Sequence, residues 1–348
     1  ECEELEDGLP RFLRGFFSYL KGNVLPATRL AYLHDITFFF KYLIAETDLT
    51  HAESPDKIKL SELEEVQAVD INMFLDYCRR YKVDMGDTVY VYENSNKSLA
   101  RKKSSVSVMF KQLYRDELLS KNITDGFDPI RVPRPGEREI KALQDDEVMI
   151  MLDAVSEGTG LTEREHAYWE KTKKRDKAIL ILFLTYGLRL SELQQLNLSS
   201  FNFHRGEFTI YRKRGKESVM PLNKSATAVL HDYIDNERGL ISISRDEDTD
   251  ALFLSLQGRR MTERQIRELV KKYTAIALHT TKRAGYSPHK LRATAATSLI
   301  GRGNSIFDVA ALLDHEQVTT TQLYARQKIN VKRDLVKDME WEEERTDK

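Results

Sequence analysis

The chain has 348 residues and 41% hydrophobic residues, enough for about two cored domains and too many for a disordered chain. Two cysteines exclude a disulfide framework. The longest apolar run, Ala178–Leu184, falls far short of the roughly 20 residues of a membrane-spanning helix, and no basic-then-apolar leader opens the chain, so a cytoplasmic protein is expected. Lys and Arg number 54 against 55 Asp and Glu, a net charge of −1, yet residues 1–7 hold five acids and no base and residues 337–348 hold six acids and three bases. The body of the chain, residues 8–336, therefore carries +7 between acidic ends.

From Leu9 onward the apolar spacing is helical. Phe12, Leu13, Phe16, Phe17 and Leu20 recur at intervals of three and four, and Leu30, Leu33, Ile36, Phe40 and Leu43 share one face of a helix expected over about 27–44. Ile71, Phe74, Leu75 and Cys78 mark a third helix, and a fourth is expected from about Ser98 to Leu119; Tyr90–Tyr92 between them reads as loop. The prolines and glycine of Arg131-Val-Pro-Arg-Pro-Gly136 cannot continue a helix and indicate an extended linker over about 131–140. Beyond it the pattern is mixed. Helices are expected at about 145–155 and 176–186, separated by a polar stretch, Glu157–Arg175, that reads as an insertion or long loop. Phe208–Tyr211 and Ser218–Leu222 read as two strands around the turn Lys213-Arg214-Gly215-Lys216. Thr262 and Gln265 form a capping box for a helix to about Ala277, and further helices are expected from near Ser287, with Pro288 at its first position, Asn304 and Thr319.

No Gly-rich phosphate loop, HExxH helix, GxSxG elbow or Cys/His cluster of metal spacing is present in the sequence, so no cofactor or metal is expected. What the second half offers is a series of cationic and proton-carrying groups: Arg189 in TYGLRLSEL with Glu192 three residues on, Lys213 in the hairpin turn, His289 and Arg292 in SPHKLR, His315 in LLDHEQVTTTQLY, and Tyr324 closing that string. Each has an ordinary structural reading as an ion pair, a solvated turn lysine, a helix cap or a core tyrosine.

Taken in order, Arg, Lys, HxxR, His and Tyr make the chain resemble the tyrosine site-specific recombinases, the family of phage integrases and Xer-type resolvases. The first box keeps the family's RxxE as Arg189 and Glu192, and the lysine precedes a V-x-P-L-like strand, Val219-Met220-Pro221-Leu222. His315 and Tyr324 stand nine residues apart, as the family pattern requires. The resemblance implies two domains. Residues 8–130 would be an all-α core-binding domain, joined by the 131–140 linker to a mixed, mainly α catalytic domain with a small antiparallel sheet at 141–327. Together they would form a C-shaped clamp on DNA, and a tail at 328–348 would dock on a neighbouring protomer. It also implies site-specific strand exchange through a 3′-phosphotyrosine and a Holliday junction, for integration or excision of a mobile element or chromosome dimer resolution. The partners would be a double-stranded DNA site and a homotetramer on two paired sites.

The chemistry is consistent with that resemblance. Arg189, Arg292, His289 and His315 can stabilise charge on the non-bridging oxygens of a phosphodiester, Lys213 is the candidate acid for the leaving 5′-oxygen, and Tyr324 is the candidate nucleophile. Lys216, in the same turn, is a second candidate acid, with spacing from Arg189 favouring Lys213. Asp314 stands where the family usually has glycine, so it is expected to raise the His315 pKa or pair with a cation. Lys97, Arg101, Lys102, Lys103, Lys111 and Arg115, with Ser104, form a one-sign stripe on the fourth helix that reads as a DNA-facing surface. Arg259, Arg260, Arg264, Arg267, Lys271 and Lys272 form a second basic cluster, and Lys290 lies in the HxxR box. The 157–175 stretch, with Tyr168, Trp169 and the basic run Lys171, Lys173, Lys174 and Arg175, is either an added DNA or subunit contact or a solvated loop. Two other classes fit parts of this pattern: a DNA-binding protein that keeps the fold without the chemistry, and a type IB topoisomerase-like nicking-closing enzyme.

Overall fold

The computed structural model describes residues 1–84, 86, 88–132, 141–212 and 215–314. The chain divides into two compact units, residues 1–134 and 135–348. Both are mainly helical with small antiparallel sheets.

The first unit contains α1 (Cys2–Asp7), α2 (Arg14–Asn23), α3 (Pro26–Glu46), α4 (Leu60–Glu64), α5 (Ala68–Arg79), a hairpin of β1 (Arg80–Asp84) and β2 (Val89–Glu93), and α6 (Asn96–Arg115). Each long helix contributes its apolar face to one core: Phe16 and Leu20 from α2, Ile36, Phe39 and Phe40 from α3, Phe74 from α5, and Val106, Met109 and Phe110 from α6. The expected loop at Tyr90–Tyr92 is instead a strand. Its alternation of β-branched and aromatic residues has the period of a pleat, and the register pairs Tyr81 with Tyr92 and Val83 with Tyr90. Tyr81 stacks on Tyr92 at 5.3 Å and on Tyr77 at 5.8 Å, which ties the hairpin to the end of α5.

The second unit runs α7 (Asp145–Glu157), α8 (Glu163–Trp169), α9 (Lys173–Tyr186), α10 (Leu190–Gln194), β3 (Phe201–Asn202), β4 (Glu207–Tyr211), β5 (Glu217–Pro221), α11 (Lys224–Asn236), α12 (Glu263–Ala277), α13 (Pro288–Gly301) and α14 (Ile306–Leu313). The three strands form an antiparallel sheet in chain order, with Phe208 opposite Met220. The apolar α9 is the axis of this unit, packed by α7, α11 and α13. Thr262 and Gln265 cap α12 reciprocally at 3.2 and 2.9 Å. The helix expected from Thr319 and the tail at 328–348 lie outside the described residues, as does most of the linker.

The 157–175 stretch is not a long loop: much of it is exposed, but it contains α8 and the first turn of α9. Thr162 caps α8, and Trp169 is buried, its indole donating to the Val155 carbonyl at 2.8 Å. His166 packs edge-on against the Trp169 ring, and the Lys173 ammonium sits 4.4 Å from its centroid. A single large aromatic anchor with a satisfied N–H is enough to turn a polar stretch into a docked helix.

Candidate active site

The site is built at the C-terminal end of α14, where the last carbonyls of a helix have no partner within it and carry the negative end of its dipole. Three arginines from distant parts of the second unit meet these carbonyls. Arg292 donates to Leu313 O and, at 2.6 Å, to Gly187 O. Arg212 donates to Leu312 O at 2.9 Å and Leu313 O at 3.1 Å. Arg189 donates to Asp314 O at 3.2 Å. Charge-assisted bonds of this kind hold a guanidinium in one orientation.

Glu192 orients Arg189. Its buried carboxylate accepts the Arg189 backbone N–H and the guanidinium, both at 2.7 Å, closing a capping box at the start of α10. The i,i+3 pair expected from the sequence is present and fixes the orientation of the arginine. The Arg189 side chain stays 36% exposed, so its outer face remains open to a ligand. Gly187 makes the assembly possible. It ends α9 in the left-handed conformation, φ +57°, and a Cβ there would run into the Leu313 side chain and lie 3.5 Å from Arg292 Cγ.

Around these groups lies a cleft of about 520 Å³ lined by Leu188–Ser191, by Glu263 and Arg267 of α12, and by Ser287, Pro288, His289 and Arg292 of α13. Arg189, His289 and Arg292, separated by a hundred residues in the chain, thus share one concavity. His289 and Arg292 reach it because residues three apart lie on one face of a helix. The cleft also receives the N-terminus of α13, whose backbone N–H groups favour an anion. Arg267 was recognised in the sequence only as part of a basic cluster; here it lines the same wall, paired loosely with Glu263 at 3.8 Å.

Sequence reasoning missed Arg212. It is buried beside Glu192, 4.0 Å from Oε1, and burial pulls its pKa down against the opposing pull of Glu192 and Asp314. The signal was available: Phe208 and Ile210 alternate on the core face of β4, and Arg212, just past its end, continues that two-residue spacing. Asp314, in place of the family's glycine, adopts the left-handed conformation, φ +51°, that glycine favours and aspartate tolerates. Of the two outcomes expected for it, pairing with a cation is observed. Lys216 Nζ donates to Asp314 Oδ1 at 2.8 Å, and that bond holds the Asp314 carboxyl below its ordinary range. Lys213, His315 and Tyr324 lie outside the described residues, although Asp314 immediately precedes His315 in the chain.

Among the residues expected to face DNA, the structure divides the α6 stripe. Lys97, Ser104 and Lys111 are exposed. Arg101 bonds Ala31 O at 3.1 Å and the Asp35 carboxylate. Lys102 is buried, its ammonium 3.1 Å from Asp35 Oδ1 and 4.7 Å from the centroid of Phe38. Lys103 binds the carbonyls of Phe127 and Asp128. The inward position of Lys102 was legible from its spacing, three residues after the buried Leu99 and four before the buried Val106. In the second cluster Arg259 is exposed, whereas Arg260 is spent on Gln194 O, Leu196 O and Asn197 Oδ1. Lys272 is drawn inward to Asp176 at 3.6 Å. Lys290 is half-buried, and burial followed by repulsion from Lys141 lowers its pKa. Among the described residues no group of three or more potential ligands could hold a metal ion, and no helix is long and apolar enough to cross a membrane.

Comparison with known proteins decides the relationship: residues 141–330 match the model of the phage integrase family. The chain belongs to the phage integrase family. A tyrosine recombinase XerC from Natranaerobius thermophilus is 33% identical over 282 residues, 80% of this chain and 84% of that protein. This family member also has the fold of solved structures at lower identity. The Tn1549 transposon integrase in complex with circular intermediate DNA superposes with a TM-score of 0.60 at 19% identity, covering 94% of this chain and 99% of that one. A lambda integrase tetramer bound to a Holliday junction gives a TM-score of 0.59 at 14% identity, covering 90% and 76%. The matched segment of this integrase-family chain contains Arg189, Glu192, Arg212, His289, Arg292 and Asp314.

Proposed function

We propose that the chain is a site-specific recombinase that cuts and rejoins DNA without cofactor or metal. The Tyr324 hydroxyl gives up its proton to solvent as its oxygen attacks the phosphorus, the bond to the 5′-oxygen breaks, and Lys213 supplies a proton to that oxygen. The product is a 3′-phosphotyrosine, which keeps the bond energy for a second 5′-hydroxyl to reseal the strand. Arg189, Arg292, His289 and His315 stabilise the charge that develops on the non-bridging oxygens, with Glu192 holding Arg189 in place. The observation that carries this reading is the convergence of Arg189, His289 and Arg292 on one cleft at the helix end that leads directly into His315.

In the same reading residues 8–130 bind DNA, 131–140 link, 141–327 catalyse and 328–348 dock on a neighbouring protomer. The two units close on the duplex as a C-shaped clamp, and four copies assemble on two paired sites through a Holliday junction. The likeness to a lambda integrase tetramer on such a junction supports this assembly. Phosphate contacts come from exposed bases such as Lys97, Lys111 and Arg259, together with Ser104; Arg101, Lys102, Lys103 and Arg260 act mainly by shaping those surfaces, and Lys290 stands beside the HxxR pair.

Incubating the full chain with a nicked suicide DNA duplex tests the reaction. A covalent protein–DNA adduct is expected, and none with Tyr324→Phe. Absence of an adduct from the parent sinks the recombinase reading, and an adduct on any random duplex points to a topoisomerase-like enzyme instead.

A further inference from the structure

Arg189, Arg212 and Arg292 bind main-chain carbonyls at the end of α14, which any residue at position 314 would leave available. The Asp314 carboxylate does something separate. Its Oδ1 accepts the Lys216 ammonium at 2.8 Å, and its Oδ2 lies 4.0 Å from Arg212 Nε, a buried atom with no hydrogen-bond partner among the described residues. Arg212 and Lys216 are the two ends of the turn between β4 and β5, closed by the Arg212 N–H donating to Lys216 O at 2.7 Å. One carboxylate therefore spans both ends of the turn. It does so from a left-handed backbone position that glycine would occupy without strain.

We propose that Asp314 is a positioning residue that latches the β4–β5 turn to the C-terminal end of α14, and that DNA strand cleavage draws on this latch. The inference rests on the recombinase reading, in which Lys213, between Arg212 and Lys216 in sequence, delivers the proton. Lys216 is 67% exposed and Asp314 28%, so the ion pair is of the partly solvated kind, worth a factor of about three to five. The latch adjusts the rate and does not by itself create the activity.

The test is single-turnover adduct formation on the nicked suicide duplex by the full chain, Asp314→Asn, Lys216→Gln, the two together, and Lys216→Arg, with DNA affinity measured on the same proteins. Asparagine tolerates the left-handed backbone, so Asp314→Asn removes charge without added strain. Each neutral variant is expected to slow adduct formation about three- to fivefold, the double variant no further than either single one, and Lys216→Arg to restore the parent rate. DNA affinity should stay within about twofold throughout. Unchanged or faster single variants, losses that multiply in the double variant, or a loss confined to DNA affinity would each overturn the latch. If the parent itself forms no adduct, the recombinase reading fails and the latch falls with it; a parent adduct with unaltered variants rejects the latch alone.

Discussion

Gly187 and Asp314 both adopt left-handed backbone at the same helix junction, for opposite reasons. At Gly187 the absence of a side chain lets α9 end against Leu313 and Arg292, so Gly187→Ala brings backbone strain and a collision together. It should lower stability by about 2–3 kcal/mol, read as a reduced denaturant midpoint at unchanged slope. At Asp314 the side chain is tolerated because it finds cations. Part of this was readable from the order of residues: the Arg189–Glu192 spacing and the HxxR face of α13 follow from local geometry, whereas the cation that meets Asp314 lies 98 positions away. The guanidinium–carbonyl bonds were not readable, because the carbonyls they meet belong to residues up to 125 positions away.

At the scale of elements, α6 shows why a stripe of one charge need not be a single surface. Asp35, almost fully buried on α3, accepts hydrogen bonds from Arg101, Lys102 and Ser105, so these groups join two helices across the core. Asp35→Ala strands the buried Lys102 ammonium and should cost about 3 kcal/mol or more, measurable by thermal or chemical unfolding. Glu237 joins elements in another way. Its carboxylate accepts backbone N–H groups of Lys174 and Arg175 at the first turn of α9, while burial pushes its pKa up from 4.5 to about 7. A carboxyl that binds protons more tightly when folded favours the native state at low pH. Its contribution is complete below about pH 4.5 and is lost as pH rises through about 7. Stability measured across that window should therefore fall with a steeper slope in the parent than in Glu237→Gln, and equal slopes would remove Glu237 as the cause. The helices were legible from apolar period, and β2 was not, because an exposed strand lacks the one-sided burial that normally reveals it.

For the whole molecule, the charge sum of −1 conceals a body at +7. Binding to a DNA duplex should weaken steeply with salt, by roughly 0.9 log units per phosphate contact per log unit of salt. Because Lys97 and Lys111 are exposed and Lys102 is committed to Asp35, their substitutions should separate. Lys97→Gln or Lys111→Gln is expected to reduce the salt slope by about one contact each while leaving stability unchanged. Lys102→Gln should lower stability instead. A salt response independent of Lys97 and Lys111 would remove α6 from the DNA surface.

The sequence alone determined the helical character of both halves, the break near Arg131 and the ordered set Arg189, Glu192, Lys213, His289, Arg292, His315 and Tyr324, because each rests on local periodicity, turn chemistry or motif spacing. Only the tertiary structure decided which cations face outward and which are consumed inside, why Gly187 is glycine, and that Arg212 and Lys216 converge on Asp314. Those outcomes depend on which distant carbonyl or carboxylate a side chain meets after packing, and a linear pattern of charge carries no record of that meeting.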